Sequence, residues 1–443
     1  MGCLGGDLAI AIRDGSIVNH FFTVRAEVAI IDRLRRRGSN MQHSSPSAEM
    51  PLAGVKVLEL GSLIAGPYAT ALLAQFGAEV IKIEPPGLGD PLRKWRKLHE
   101  GTSLWWYTQS RNKKSVTLDL KSEEGQEIVR KLAGDADIVV ENFRPGTLEK
   151  WGIGWEQLSA INPNLIMVRI SGYGQTGPAS QKPGFAAIAE CMGGLRHVTG
   201  YPDRAPVRAG ISLGDTLASL YGTLGALMAM HHLKVNGGKG QYIDVALYEA
   251  VFAVMESLIP EYAKTGHVRE RTGSALPGIV PSNTYLCRDG KYVAIAGNGD
   301  GIFRRLMTAI GRPDLAEDPA LAHNDGRARQ TELLDGVIGD WTAANDLEAV
   351  VRTMNEASVP CGPIYTAADI MNDAHFQARD MLQTHTLPDG SDICLPGIVP
   401  KLSATPGRTT WLGPELGQHT QEVLDSIGVT AEQLEKLRQA GLA

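Results

Sequence analysis

Asp215 stands between a small-residue turn and a long apolar run, in the stretch GISLGDTLASLYGTLGAL at 210–227. Two roles suit a carboxylate there. It can open a helix by accepting hydrogen bonds from the free N–H groups of the first turn. It can also act as a nucleophile that needs no partner base. Other chemistries lack their residues. The eleven histidines include no H-x-x-x-H pair, and the adjacent His231 and His232 point to different sides of a helix, so they cannot share one metal ion. No G-x-S-x-G elbow is present for a serine nucleophile. The turn GSLIAG at 61–66 follows an apolar strand and precedes Glu84 by about the spacing of a dinucleotide site, but it lacks the second glycine of G-x-G-x-x-G. Pro67 after Gly66 excludes a phosphate-binding P-loop as well.

The elements that would carry Asp215 can be read from the pattern. VKVLEL (55–60) is a short buried strand, SLIAGPYATALLAQFG a helix closed by Gly77, and AEVIKIEPP a second strand stopped by Pro85 and Pro86. SVTLDL, ADIVVENF and NLIMVRISGYG supply further strands, with the helix SEEGQEIVRKLAGD between two of them. Strands alternating with helices predict an α/β fold with a doubly wound, largely parallel, Rossmann-like sheet. Ligands then lie outside the carboxyl ends of the strands, at Gly61 to Gly66, Glu84, Glu141 to Arg144 and SGYGQTG. Farther on, NTYLCRDGKYVAIAGNGD predicts a hairpin turning at Asp289-Gly290, followed by amphipathic helices. This change of character predicts a smaller α+β domain over 275–355, beside a large domain of 51–250 completed by 385–443. Residues 251–274 and 356–384 read as linkers. The first fifty residues, with the basic run RLRRRGSN, read as a disordered or artefactual extension.

Composition narrows the partners. A chain of 443 residues with 43% hydrophobic and 21% charged residues, a net charge of -6 and a pI near 6.0 presents no field for a polyanion, so nucleic acid is not expected. Apolar runs fall short of the roughly 18 residues of a membrane span. Five widely spaced cysteines suit reduced thiols in the cytoplasm.

Several strings occur together and in order: LAGVKVLELGSLIAGPYATALLAQFGAEVIKIEPPGLGD, NKKSVTLDLKSEEG, DIVVENFRPGTLEKWGIG, ISGYGQTGP, GDTLASLYGTLGAL, GRPDL, VPCGPI and LGQHTQEVL. From about Pro51 to the C-terminus the chain thus resembles the class III CoA-transferases, the group of formyl-CoA:oxalate and carnitine CoA-transferases. The resemblance implies an interlocked homodimer with no permanently bound cofactor, coenzyme A being part of the substrate. It places the nucleophile at Asp215, which with an ordinary pKa near 3.9 is protonated in only about one molecule per thousand at pH 7. Gly214 then allows close approach to the backbone, and N–H groups there can hold an oxyanion. CoA contacts carried over by position are Ile64, Ala65, Leu118, Asp119, Leu120, Lys121, Asn142, Phe143, Arg144, Lys150 and Lys182, whose cations can pair with phosphates.

Departures from the formyl-CoA enzyme point elsewhere for substrate. Ile64 replaces a glutamine, Pro85 an arginine, and GSALPGIVPSN stands near the place of a glycine-rich loop. The motif set looks most like members using succinyl-CoA and dicarboxylate acceptors, for which Arg208 and Arg271 are candidate clamps. Two alternatives remain. A 2-methylacyl-CoA racemase of the same superfamily needs a histidine base, where this chain has Gly184, Phe185 and Ala186. A CoA-binding protein without catalysis would keep the fold but has no need of Asp215.

Overall fold

The computed structural model describes residues 50–443, so the expected N-terminal extension lies outside the described residues apart from Met50. Six strands, β1 (Lys56–Glu59), β2 (Glu79–Glu84), β3 (Lys113–Thr117), β4 (Ile138–Glu141), β5 (Ile166–Ser171) and β6 (Gln241–Ala246), form one sheet in the order β3-β2-β1-β4-β5-β6. Every pairing is parallel, with Val57 opposite Val80 on one side and Ile138 on the other. The order reverses between β1 and β4, which is where a doubly wound sheet opens a crevice for ligands.

Period-two alternation divides the strand side chains between two cores. Val57, Ile138, Val140, Ile166 and Val168 face the helix α1 (Ala65–Gln75) and the 23-residue helix α2 (Leu213–Val235). Leu58, Val139 and Met167 face the opposite way, against Ile128 and Leu132 of the Glu123–Gly134 helix and Val423, Leu424, Leu434 and Leu437 near the C-terminus. The C-terminal segment therefore packs on one face of this sheet. The side of α2 that meets the sheet is built from small residues, Gly214, Ala218, Ser219, Gly222, Ala226 and Ala229. A Cβ at Gly222 would come within 3.1 Å of Val168 Cγ1, and one at Gly225 within 2.9 Å of Ile243 Cγ2. Small side chains let this helix lie close on β5 and β6.

The expected hairpin is present. Strands β7 (Ser282–Leu286) and β8 (Tyr292–Ala296) pair antiparallel around Gly290, whose φ of +77° suits the turn, and β9 (Cys361–Pro363) adds a third strand. Their core, from Val280 to Val359, includes Phe303, Leu306, Leu334 and Ile338 of the intervening helices. A further hairpin, β10 (Leu382–Thr386) and β11 (Asp392–Pro396), adjoins the apolar cluster in which Leu387 and Leu395 meet Trp106 and Leu92.

Candidate active site

The loops at the carboxyl ends of β1, β4, β5 and β6 surround a cavity of about 460 Å³. The first loop, Gly61 to Ile64, is fixed from below by buried charge. Lys82 pairs with Glu59 at 2.7 Å and Asp90 at 2.8 Å, and its ammonium also donates to Gly61 O at 3.0 Å. Asp90 accepts from Leu63 N at 3.0 Å, which helps hold Leu63 in a left-handed conformation, φ 65°. Lys113 joins Glu59 to Pro67 O. From the side, the Asn142 amide closes a pair of bonds with Ser62, accepting from its N–H at 2.8 Å and donating to its carbonyl at 2.9 Å. A Cβ at Gly61 would lie 2.5 Å from Asn142 Oδ1, so only glycine fits there.

Asp215 enters the cavity from the first turn of α2. It does not cap the helix: the N-cap is Ser212, and among the described residues the Asp215 side-chain oxygens make no hydrogen bond. The helix itself is tied to the first loop's continuation, because Ser219 Oγ donates to Ala65 O at 2.7 Å. Burial raises the Asp215 pKa, the neighbouring Glu190 carboxylate raises it further, and Arg208 pulls it back; the result is about 6. The ordinary value near 3.9 assumed from sequence is thus corrected, and roughly one molecule in ten rather than one in a thousand carries the proton at pH 7. A carboxylate of this kind is mostly ionised and more basic than usual.

Gly214 behaves differently from expectation. Its N–H donates to Glu190 Oε1 in a long bond of 3.4 Å, and a Cβ there would meet Ala186 Cβ at 3.2 Å. The close approach that glycine permits is therefore to the short helix α3 (Ala186–Met192). Glu190 is fully buried on α3, and its other oxygen accepts from Arg196 Nε at 3.0 Å and lies 4.0 Å from Arg208 Nε.

The carried-over contact residues divide into two groups. Ile64, Ala65, Asn142, Phe143, Arg144 and Lys182 line the Asp215 cavity, with Arg144 and Lys182 exposed. Leu118, Asp119, Leu120, Lys121 and Lys150 do not line it. Leu118 is 1% exposed and packed in the core, which removes its side chain from any ligand contact, while Asp119 N donates to Leu442 O and its carboxylate accepts from Lys121 N. Of the two candidate clamps, Arg208 lines the cavity and Arg271 does not, since Arg271 donates to the carbonyls of His197 at 2.9 Å and Tyr201 at 3.4 Å. Trp95, Arg96, Ser212 and Leu247 also line the cavity without having been singled out from sequence. Glu190 was missed too, although a lone acid in the apolar run AAIAECM was a sign of it. A larger, more open depression near Asp289, Glu348 and Tyr365 holds several acids, of which the partly buried Asp346 is paired with Arg288 at 2.6 Å, and we assign it no chemistry.

The model of the family described as CoA-transferase family III matches residues 52–420. The succinyl-CoA–D-citramalate CoA-transferase of Chloroflexus aurantiacus is 50% identical over 397 residues, covering 89% of this chain and 98% of that protein. The alpha subunit of succinyl-CoA–L-malate CoA-transferase from Chloroflexus aurantiacus is 42% identical, covering 88% of this chain and 92% of the relative. Among solved structures, a CAIB/BAIF family protein from Brucella suis superposes with a TM-score of 0.76 at 34% identity, covering 86% of this chain and all of the other.

Proposed function

Since the chain belongs to CoA-transferase family III and is a CoA-transferase, we propose that it moves CoA from succinyl-CoA to a free dicarboxylic acid through covalent intermediates on Asp215. The acceptor class is taken from the relatives, whose names specify citramalate and malate. The observation that carries the mechanism is the Asp215 carboxylate, which lines the cavity without a hydrogen bond from any described residue.

In this reading an Asp215 oxygen attacks the thioester carbon of the donor, the C–S bond breaks, and CoA departs as its thiolate, leaving a mixed anhydride. The thiolate then attacks the Asp215 carbonyl carbon, giving an aspartyl-CoA thioester and releasing the first acid as its carboxylate. The acceptor carboxylate attacks that thioester and expels the thiolate, forming a second anhydride. Attack of the thiolate on the acceptor's acyl carbon yields the new acyl-CoA and restores ionised Asp215. No proton moves in any step, which accounts for a site with no partner base. All three intermediates are activated acyl groups, so the donor's free energy is kept only if water is excluded. Arg144 and Lys182, exposed on the cavity lining, suit the phosphates of CoA.

A homodimer belongs to the same proposal. The face of α2 turned away from the sheet exposes Leu220, Tyr221, Leu224, Leu227 and Met228, an apolar stripe of a kind that single chains seldom leave to water.

The decisive experiment pairs Asp215→Asn with intact-protein mass spectrometry after mixing with succinyl-CoA. Wild-type protein should gain the mass of an aspartyl-CoA thioester that hydroxylamine removes, and the variant should stay folded, unmodified and inactive. A variant that turned over normally would refute the covalent route.

A further inference from the structure

We propose that Arg208, steered by the buried Glu190, binds the carboxylate of the acceptor that does not react, and so selects dicarboxylates over monocarboxylates. The inference rests on the dicarboxylate reading given above and assigns it to one side chain.

Arg208 and Asp215 line the same cavity. They are joined through one carboxylate: Glu190 Oε1 accepts from Gly214 N, next to Asp215, while Glu190 Oε2 lies 4.0 Å from Arg208 Nε. This bridge brings the guanidinium to the start of α2, close enough that Arg208 is the cation acting on the Asp215 carboxylate.

The contact with Glu190 uses the Nε side of Arg208. No described residue hydrogen-bonds its two Nη nitrogens, and the side chain is 46% exposed. That leaves a planar, always charged edge free for a carboxylate to meet with two parallel bonds. Other cations line the cavity but are placed for different work. Arg96 lies over the Trp105 ring, 4.9 Å from its centroid, and Arg144 and Lys182 are the cations assigned above to phosphate. Glu190 itself is compensated by Arg196 at 3.0 Å, so Arg208 is not needed to neutralise it and can turn its charge toward substrate. A site built to pair a second carboxylate penalises an analogue lacking it, because the cation is then left without its partner.

The test compares malate with 2-hydroxybutyrate, which has the same carbon chain and hydroxyl but one carboxylate fewer. In a double-displacement reaction kcat/KM for the acceptor reports only its encounter with aspartyl-CoA enzyme, so succinyl-CoA can serve as donor throughout. Wild-type enzyme should prefer malate. Arg208→Met should cut the malate to 2-hydroxybutyrate ratio of kcat/KM by about 30-fold, the scale of a lost charged hydrogen-bond pair. Arg208→Lys should recover part of that ratio, and Glu190→Gln should lower it less than Arg208→Met does. Equal losses for both acceptors in Arg208→Met would overturn the proposal, since a role in folding or CoA binding does not discriminate between acids. An unchanged ratio would overturn it as well. A wild-type enzyme with no preference for malate would instead remove the dicarboxylate reading beneath it. Mass detection of aspartyl-CoA in Arg208→Met separates either result from a failure of Asp215 chemistry.

Discussion

Burial and the Glu190 carboxylate hold Asp215 at about 6 against the pull of Arg208, and this has two measurable effects. Catalysis needs the anion, so kcat/KM should be level above pH 7 and fall about tenfold per unit well below pH 6. Glu190→Gln should move that limb to lower pH, and Arg208→Met to higher pH. Stability runs the other way. Between about pH 4 and 6 the folded chain keeps a proton that the unfolded chain has lost, so stability declines as pH rises through that window, and the cost remains at neutral pH. For a partly exposed side chain this amounts to about 1–2 kcal/mol after allowance for solvent screening. Asp215→Asn should therefore melt higher than wild type at pH 7 while losing activity, which calorimetry beside the transfer assay would show. The motif GDTLASLYG made Asp215 legible from sequence, but its pKa was not, because that depends on Glu190 and Arg208 meeting it in space. Leu118 shows the reverse limit: position along the chain suggested a ligand contact, and packing took the side chain inside, which leaves only its backbone for one.

At the scale of elements, the first loop depends on charges buried under it. Burial works against the ionised form of Glu59, yet Lys113 and Lys82 overcome this and hold its pKa at about 2. The stabilisation is full above the unfolded value near 4.5 and disappears as pH falls toward 2. Lys82→Met would leave Glu59 and Asp90 without this partner and release Gly61 O, for a loss of about 3–5 kcal/mol. Urea unfolding should register that loss, and KM for acyl-CoA should rise because Ser62 to Ala65 line the cavity. The supporting elements were largely readable: Gly77 and Pro85-Pro86 marked the ends of α1 and β2, and Asp289-Gly290 marked the hairpin. Strand β6 was not. Its burial falls mainly on Val245 and Ala246, and the preceding QYID reads as polar surface. Nor could Lys82 be picked out within VIKIE, since its partners lie in β1 and after β2.

For the whole molecule, the described residues form one compact unit, within which we propose a small domain over 275–355 and a large CoA-binding domain of 51–250 with 385–443. The separate apolar core from Val280 to Val359, and the packing of Val423 and Leu434 on the first sheet, support that division. Among the described residues no helix is long and apolar enough to cross a membrane. The exposed stripe on α2 is better suited to a second copy of the chain. Leu224→Asp places a charge in its centre and should shift the protein to the monomer position on size-exclusion chromatography, with much reduced transfer activity; a dimer of wild-type strength would contradict the interface. The glycines and alanines beneath that stripe have one more consequence. A side chain at Gly222 or Gly225 would crowd Val168 and Ile243, so the helix bearing the nucleophile has little room to vary on its sheet-facing side. The stretch from Tyr201 to Ile211, which carries Arg208, lies mostly on the surface and has room to change. Descendants of such a chain can acquire new acids to activate while the reaction itself stays as it was.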